Sequence, residues 1–127
     1  MDYPDDLGYT KKHEWVRIDG ETATVGITDY AQDSLGDIVY LELPKEGVEA
    51  AAGDAIAVIE SVKSVSDIYM PLAGMVTKGN TDLEETPETI NEDPYGKGWL
   101  FMVTLKDEAD ADDLMSADDY ESYVGKA

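Results

Sequence analysis

The 127-residue chain contains no cysteine. That absence excludes disulfides, thiolate metal sites and cysteine nucleophiles together. It has a single histidine, His13. One imidazole leaves no His cluster for zinc and no second His for a paired-His catalytic site. Cations are scarce: 9 Lys plus Arg stand against 29 Asp plus Glu, for a net charge of −20. Nucleic acids and anionic membrane surfaces both call for a cationic face, so direct binding to either is not expected. No apolar run approaches the roughly 20 residues of a spanning helix. The opening residues, Met1-Asp2-Tyr3-Pro4-Asp5-Asp6, lack the positive charge and apolar stretch of a signal peptide. Apolar residues nevertheless make up 43% of the chain, enough for a packed core. The expectation is one domain over residues 1–127, monomeric and cytoplasmic.

The acidic surplus has a physical consequence. Like charges destabilise a compact state unless salt screens them. We therefore expect a halophilic prokaryote as the source, with an ordinary acidic protein carrying a solvated acidic tail as the alternative. The first reading predicts a melting temperature that climbs between low and molar KCl. A melting temperature indifferent to KCl supports the second.

The hydropathy pattern is mostly that of short strands. Val16 and Ile18 alternate with Trp15 and Arg17. Asp19-Gly20 suits a tight hairpin turn, and Ala23, Val25 and Ile27 alternate with Thr22 and Thr24 on the return. Thr28 or Asp29 caps a short helix that Gly36 ends. Strands are expected over Ile38–Leu43, Ala55–Glu60, Asp67–Met70, Met75–Thr77 and Trp99–Leu105. Residues 79–98 are rich in turn formers and read as an ordered loop with a helical turn after Pro87. Tyr95 and Trp99 are expected to pack that loop, and Gly96 and Gly98 are expected to serve turns. From Asp107 the period becomes helical, with Ser116 as cap and Tyr120, Tyr123 and Val124 facing inward. The fold class is mainly β: a small sandwich or flattened barrel with a connecting helix and a C-terminal helical segment, about 107–125.

Several motifs fail on spacing. The acidic runs lack a calcium-loop pattern, and Gly96-Lys97-Gly98 lacks the spacing and hydroxyl of a phosphate loop. Asp110, Asp112, Asp113, Asp118 and Asp119 read as a solvated helical face. His13 and Glu14 are an acid–base pair on paper only, because neighbours on a strand point to opposite faces.

Lys63 stands out. It is the only cation between Lys45 and Lys78, in Glu60-Ser61-Val62-Lys63-Ser64-Val65-Ser66-Asp67. β-like runs on each side place it at the tip of a hairpin spanning about 53–74. That turn holds no Gly, Pro or Asn. One reading is a charged gatekeeper that blunts a sheet edge. The other is the anchor of a swinging arm, which needs an exposed amine on a rigid turn. A lysine extended by a lipoyl chain would sweep about 14 Å.

Residues around this lysine resemble the lipoyl-attachment segment of glycine cleavage system H proteins. They are Glu60-Ser61-Val62-Lys63, Ser66-Asp67-Ile68-Tyr69 and Pro71-Leu72-Ala73-Gly74. His13-Glu14-Trp15-Val16, Thr24–Gln32, Leu35–Val39, Gly53-Asp54 and Asn91–Gly96 with Gly98-Trp99 extend the resemblance from about Tyr9 to Tyr123. Biotin carriers usually place Met on both sides of the lysine, where this chain has Val62 and Ser64. Ser64 also stands where the family most often has alanine.

The resemblance implies two antiparallel sheets in a flattened barrel-sandwich hybrid, with a lipoyl-lysine hairpin. It implies lipoic acid attached to Lys63 as N6-lipoyllysine, and a carrier with no turnover of its own. Its partners would be the pyridoxal-phosphate glycine decarboxylase (P-protein), the aminomethyltransferase (T-protein), dihydrolipoamide dehydrogenase (L-protein) and a lipoate-attaching enzyme. The last would recognise Glu60, Ser61 and Val62 as well as Lys63. The aminomethyl group would pass from P-protein to T-protein, and L-protein would reoxidise the arm. In this family the loaded arm folds into a cleft, where Glu14 would accept a hydrogen bond from the amine and Asp67 would line the wall. Lys12 beside that cleft would either repel the amine or steer partners. An H-like lipoyl relay to other complexes would share every motif. An enzyme using Glu14 and Asp67 as acid and base would instead retain turnover in a Lys63→Arg variant. A structural acidic domain would leave Lys63 unmodified.

Overall fold

The computed structural model describes residues 1–125. Nine strands form two antiparallel sheets. The larger has the order β1-β2-β3-β9-β8-β5, and the smaller is β4-β6-β7. The strands are β1 Gly8–Tyr9, β2 Glu14–Asp19, β3 Thr22–Ile27, β4 Ile38–Glu42, β5 Glu49–Ala50, β6 Ala55–Ser61, β7 Val65–Tyr69, β8 Gly74–Gly79 and β9 Phe101–Leu105. The helices are α1 Asp29–Leu35, α2 Thr89–Glu92 and α3 Ala117–Gly125. Six strands on one side and three on the other make an open sandwich; the sheets do not close into a barrel.

The alternation in the sequence becomes the core. Val16, Ala23, Val25, Ile27, Phe101 and Val103 of the larger sheet meet Ile38, Leu41, Ile59 and Ile68 of the smaller one. A second, smaller core lies around Trp15, with Leu7, Tyr9, Ala117 and Tyr120. Both faces of β2 are therefore covered where Trp15 and Val16 stand side by side. The Trp15 indole N–H donates to the Pro94 carbonyl at 2.9 Å.

Helix α1 begins where the sequence indicates. Thr28 Oγ1 accepts from the Ala31 N–H at 3.2 Å. Gly36 ends the helix at φ 80°, a conformation that favours glycine. Helix α3 starts after Ser116, whose Oγ accepts from the Asp119 N–H at 3.1 Å.

The segment 79–98 is better structured than its turn-rich composition suggests. It contains a 3-10 turn, Thr81–Glu84, and helix α2, and buries Leu83 and Ile90. Asn91 clamps it to the end of α1: its amide donates to the Gly36 carbonyl at 2.9 Å and accepts from the Ile38 N–H at 2.9 Å. Tyr95 anchors the loop as expected, its hydroxyl donating to Asp2 O and accepting from the Asp29 N–H. The expectation for Gly98 needs a different reason. It has no positive φ, but a Cβ there would lie 2.7 Å from the Asp93 carbonyl, so close backbone approach demands the glycine. Residues after Asp107 do not form one helix. A 3-10 stretch, Glu108–Asp113, comes first, and Met115 then pairs with Tyr9 before α3 begins.

His13 sits at φ 73°, the only non-glycine residue at positive φ among those described. Its Nδ1 lies 2.8 Å from the Tyr120 hydroxyl, which is 2.7 Å from Thr28 Oγ1. This chain ties α3 to the start of α1. Burial, and then Lys12, lower the His13 pKa below 6.5. The folded state thus favours neutral imidazole, and the unfolded chain takes up the proton first as pH falls. Stability linked to His13 is present above pH 6.5 and is lost as pH falls through the lowered value. Asn tolerates positive φ, so His13→Asn should remove this loss. Between neutral pH and about 5.5, the melting temperature of the wild type should fall more steeply than that of the variant.

Candidate functional site

Strands β6 and β7 form a hairpin whose tip is Ser61-Val62-Lys63-Ser64. With no Gly, Pro or Asn to make the turn, the Ser61 hydroxyl organises it. Its Oγ accepts from the Ser64 N–H at 3.1 Å and from the Lys63 N–H at 3.3 Å. The Ser61 N–H closes the turn on the Ser64 carbonyl at 2.8 Å. A side-chain oxygen here replaces the conformational freedom that glycine would supply. The tip is also braced from outside, because the Val62 N–H donates to the Asp37 carbonyl at 3.0 Å. Ser61 is buried, whereas Val62, Lys63 and Ser64 are exposed. Lys63 does not project straight from the tip. Its aliphatic stem leans over Gly36, where a Cβ would come within 3.5 Å of Lys63 Cε.

Glu60 lies on β6 between Tyr40 on β4 and Val65 on β7, opposite both in register. It is half-buried, with Val65 exposed beside it. Glu60, Ser61 and Val62 thus differ in environment: one on the strand, one inside the turn, one at the surface.

Glu14 is only 1% exposed. Its Oε1 accepts from the Thr10 hydroxyl at 2.6 Å, and its Oε2 accepts from the Tyr69 N–H at 3.4 Å. Thr10 Oγ1 in turn accepts from the Glu14 N–H at 3.2 Å and the Lys12 N–H at 3.3 Å. This threonine, which the sequence reading passed over, therefore holds both the turn before β2 and the carboxylate rotamer. The signal for it was a hydroxyl four residues ahead of Glu14. Burial pushes the Glu14 carboxyl up, opposed by the bonds from Thr10 and Tyr69 and by Lys12. Lys12 itself sits over the Tyr69 ring, with Nζ 5.3 Å from its centre.

Asp67 lies two residues before Tyr69 on β7 and is exposed. It lines a cleft of about 230 Å³ with Glu42, Leu43, Ile56 and Val58 among others, and Glu14 does not line that cleft. The two carboxylates are thus both tied to β7, one within the strand and one against its Tyr69 N–H. His13 and Glu14 turn apart as strand geometry requires: the imidazole goes to Tyr120, the carboxylate to Thr10 and Tyr69. Among the described residues no cluster of three or more His, Asp or Glu is placed to hold a metal ion. No helix among them is long and apolar enough to cross a membrane.

The fold and site together define an open β-sandwich that presents a single exposed lysine on a braced hairpin. Comparison with known proteins makes this particular. Residues 7–127 match the family model described as "Glycine cleavage H-protein". A "Probable glycine cleavage system H protein" of Haloarcula marismortui is 52% identical over 124 residues, covering 98% of each chain. A "Glycine cleavage system H protein" of Thermus thermophilus is 54% identical over 124 residues, covering 98% of this chain and 97% of its own. The crystal structure of a glycine cleavage system H protein from Mycobacterium marinum superposes with a TM-score of 0.84, at 37% identity and 98% coverage of both chains. The chain belongs to the glycine cleavage H-protein family, the lipoyl-carrying shuttle component of the glycine cleavage system.

Proposed function

We propose that Lys63 carries the lipoyl group as N6-lipoyllysine and that this chain acts as a carrier, with no turnover of its own. The observation that carries the reading is an exposed amine on a turn locked by a buried Ser61 hydroxyl. A rigid base and a long flexible arm are the two parts a shuttle needs. The residues at the tip fit the group: nothing encloses the lysine end, and the stem has Gly36 beneath it. When attached, the dithiolane supplies the sulfur that accepts an aminomethyl group and the redox couple that is regenerated afterwards.

The chain's own residues shelter the arm. Glu14 accepts a hydrogen bond from the arm's terminal ammonium. It keeps acceptor capacity for that bond, since a carboxylate offers about four lone-pair sites and two are occupied here. Asp67 lines the approach along β7. A charge-assisted bond is worth about 1.5–3 kcal/mol, enough to hold the arm closed and small enough for a partner to open it. Lys12 leans away over Tyr69 and lowers the charge cost of Glu14.

The partners are the P-protein, T-protein and L-protein, each taking the arm in turn, together with a lipoate-attaching enzyme that reads Glu60, Ser61 and Val62. Residues 1–127 act as one monomeric domain in the cytoplasm. The test is the intact mass of the protein from its native cells, with a peptide map of the Lys63 region. A mass increase of one lipoyl group on Lys63 is expected. An unmodified Lys63 in cells grown on glycine overturns the reading.

A further inference from the structure

Among the described residues eight large apolar side chains stand exposed, and four of them lie on the lysine hairpin or on the strand paired with it: Val39, Tyr40, Val62 and Val65. In a chain of net charge −20 this concentration has a structural cause. Strand β4 is bulged. From Ile38 to Tyr40 it advances two residues while β6 advances one, from Ser61 to Glu60. Val39 is the extra residue. A regular strand would alternate these neighbours between the two faces, whereas the bulge turns Val39 and Tyr40 outward together. Tyr40, Glu60 and Val65 then form one row across the small sheet.

Lys63 leans toward the same side. Its stem lies over Gly36, and the tip is bonded to Asp37, the residues that lead into β4. The amine is therefore presented beside the segment that leads into β4. Carboxylates border the patch: Asp37 and Glu42 are exposed, Glu60 is half-buried, and the Tyr40 hydroxyl donates to Glu42 at 3.1 Å.

We propose that Val39 and Tyr40, continuous with Val62 and Val65, form the docking surface for the enzyme that attaches the lipoyl group. This rests on Lys63 being the attachment point. The occupant has an apolar contact surface ringed by cations, complementary to this patch and its acidic border. Reach selects the attaching enzyme among those that meet the arm. Attachment brings the acyl carbon to Nζ itself, roughly 6 Å from Cα, whereas enzymes acting at the far end of the arm work about 14 Å out. Only the attaching enzyme must press on the surface next to the lysine. In the step it catalyses, the neutral amine attacks the activated acyl donor held by that enzyme. The C–N bond forms, the activating group departs with its electron pair, and the nitrogen gives up a proton.

The experiment mixes the full unlipoylated chain with a lipoate-attaching enzyme, lipoate and ATP, and follows intact mass with time. In the Val39→Ser/Tyr40→Ser variant kcat/KM should fall about tenfold, chiefly through KM, as for loss of an interface hot spot. Its melting temperature should match the wild type, because both side chains are surface-exposed. Ile18→Ser, on the other sheet, should be modified at the wild-type rate. Raised KCl should slow attachment to the wild type. A folded double variant modified as fast as the wild type overturns the proposal. If the double variant melts early, Tyr40→Ser alone decides between the same two outcomes. A wild-type chain that gains no lipoyl group on Lys63 overturns the attachment reading instead.

Discussion

Lys63→Arg is expected to abolish lipoyl attachment entirely while leaving the melting temperature unchanged. Arginine keeps the positive charge and most of the length, so a mere gatekeeper role at the sheet edge would survive the exchange. The guanidinium does not lose its proton at accessible pH and has no free lone pair to attack an acyl donor. The side chain is exposed, and the turn is held by Ser61 and Asp37 through backbone N–H groups that do not depend on the lysine. Intact mass before and after incubation with the attaching enzyme reads the result. A full lipoyl increment on the variant would place the attachment elsewhere. Glycine cleavage activity reconstituted with the variant should likewise be nil, and residual turnover would favour an enzyme built on Glu14 and Asp67.

Glu14→Ala should shorten the lifetime of the aminomethyl-loaded form by roughly 10- to 150-fold, the equivalent of one charge-assisted bond. The measurement is release of the bound one-carbon unit from the isolated loaded protein. Truncation also leaves the Thr10 hydroxyl and the Tyr69 N–H without their acceptor, so Glu14→Gln is the companion variant. It keeps the volume and removes the charge. Loss of protection in both variants supports an ionic hold on the amine. An unchanged release rate in a folded Glu14→Gln protein overturns it. The pH profile carries the same signature. Burial raises the Glu14 pKa, so its charge and the protection should fade as pH falls, beginning above the ordinary carboxylate range. Stability runs the other way. The increment linked to Glu14 is fully present below the unperturbed pKa of 4.5 and is lost as pH rises through the raised value. Buried charge thus costs the resting fold stability in the same range where the proposed hold on the arm needs it.

Strands β3 and β9 were legible because Ala23, Val25 and Ile27, and Phe101, Val103 and Leu105, are buried at a period of two, whereas β2 is buried on both faces at Trp15 and Val16 and leaves Ile18 exposed, because the second core covers its outer side. Helix α1 was legible because Thr28 and Gly36 are local signals that act on their own neighbours. The two-residue strands β1 and β5 were not, since so short a segment has no period and exists only through its partner. The loop over 79–98 looked irregular because Asn80 and Asn91 organise it through bonds to residues far away in the chain. Lys63 was found because an isolated cation in an acidic chain is visible without coordinates.

What the sequence by itself determined was the class of fold and the family, because periodicity, caps and a contiguous motif are properties of neighbouring residues. Tertiary structure decided the rest. It buried Glu14 beneath Thr10 and Tyr69, set Asp67 in a cleft that Glu14 does not reach, and turned Ser61 into the brace of the hairpin. It also paired the strand of Val39 and Tyr40 with the hairpin that bears Lys63, more than twenty residues away, through a bulge that only strand pairing creates. Burial, register and long-range hydrogen bonds arise only when distant segments meet, so no local pattern in the sequence carries them.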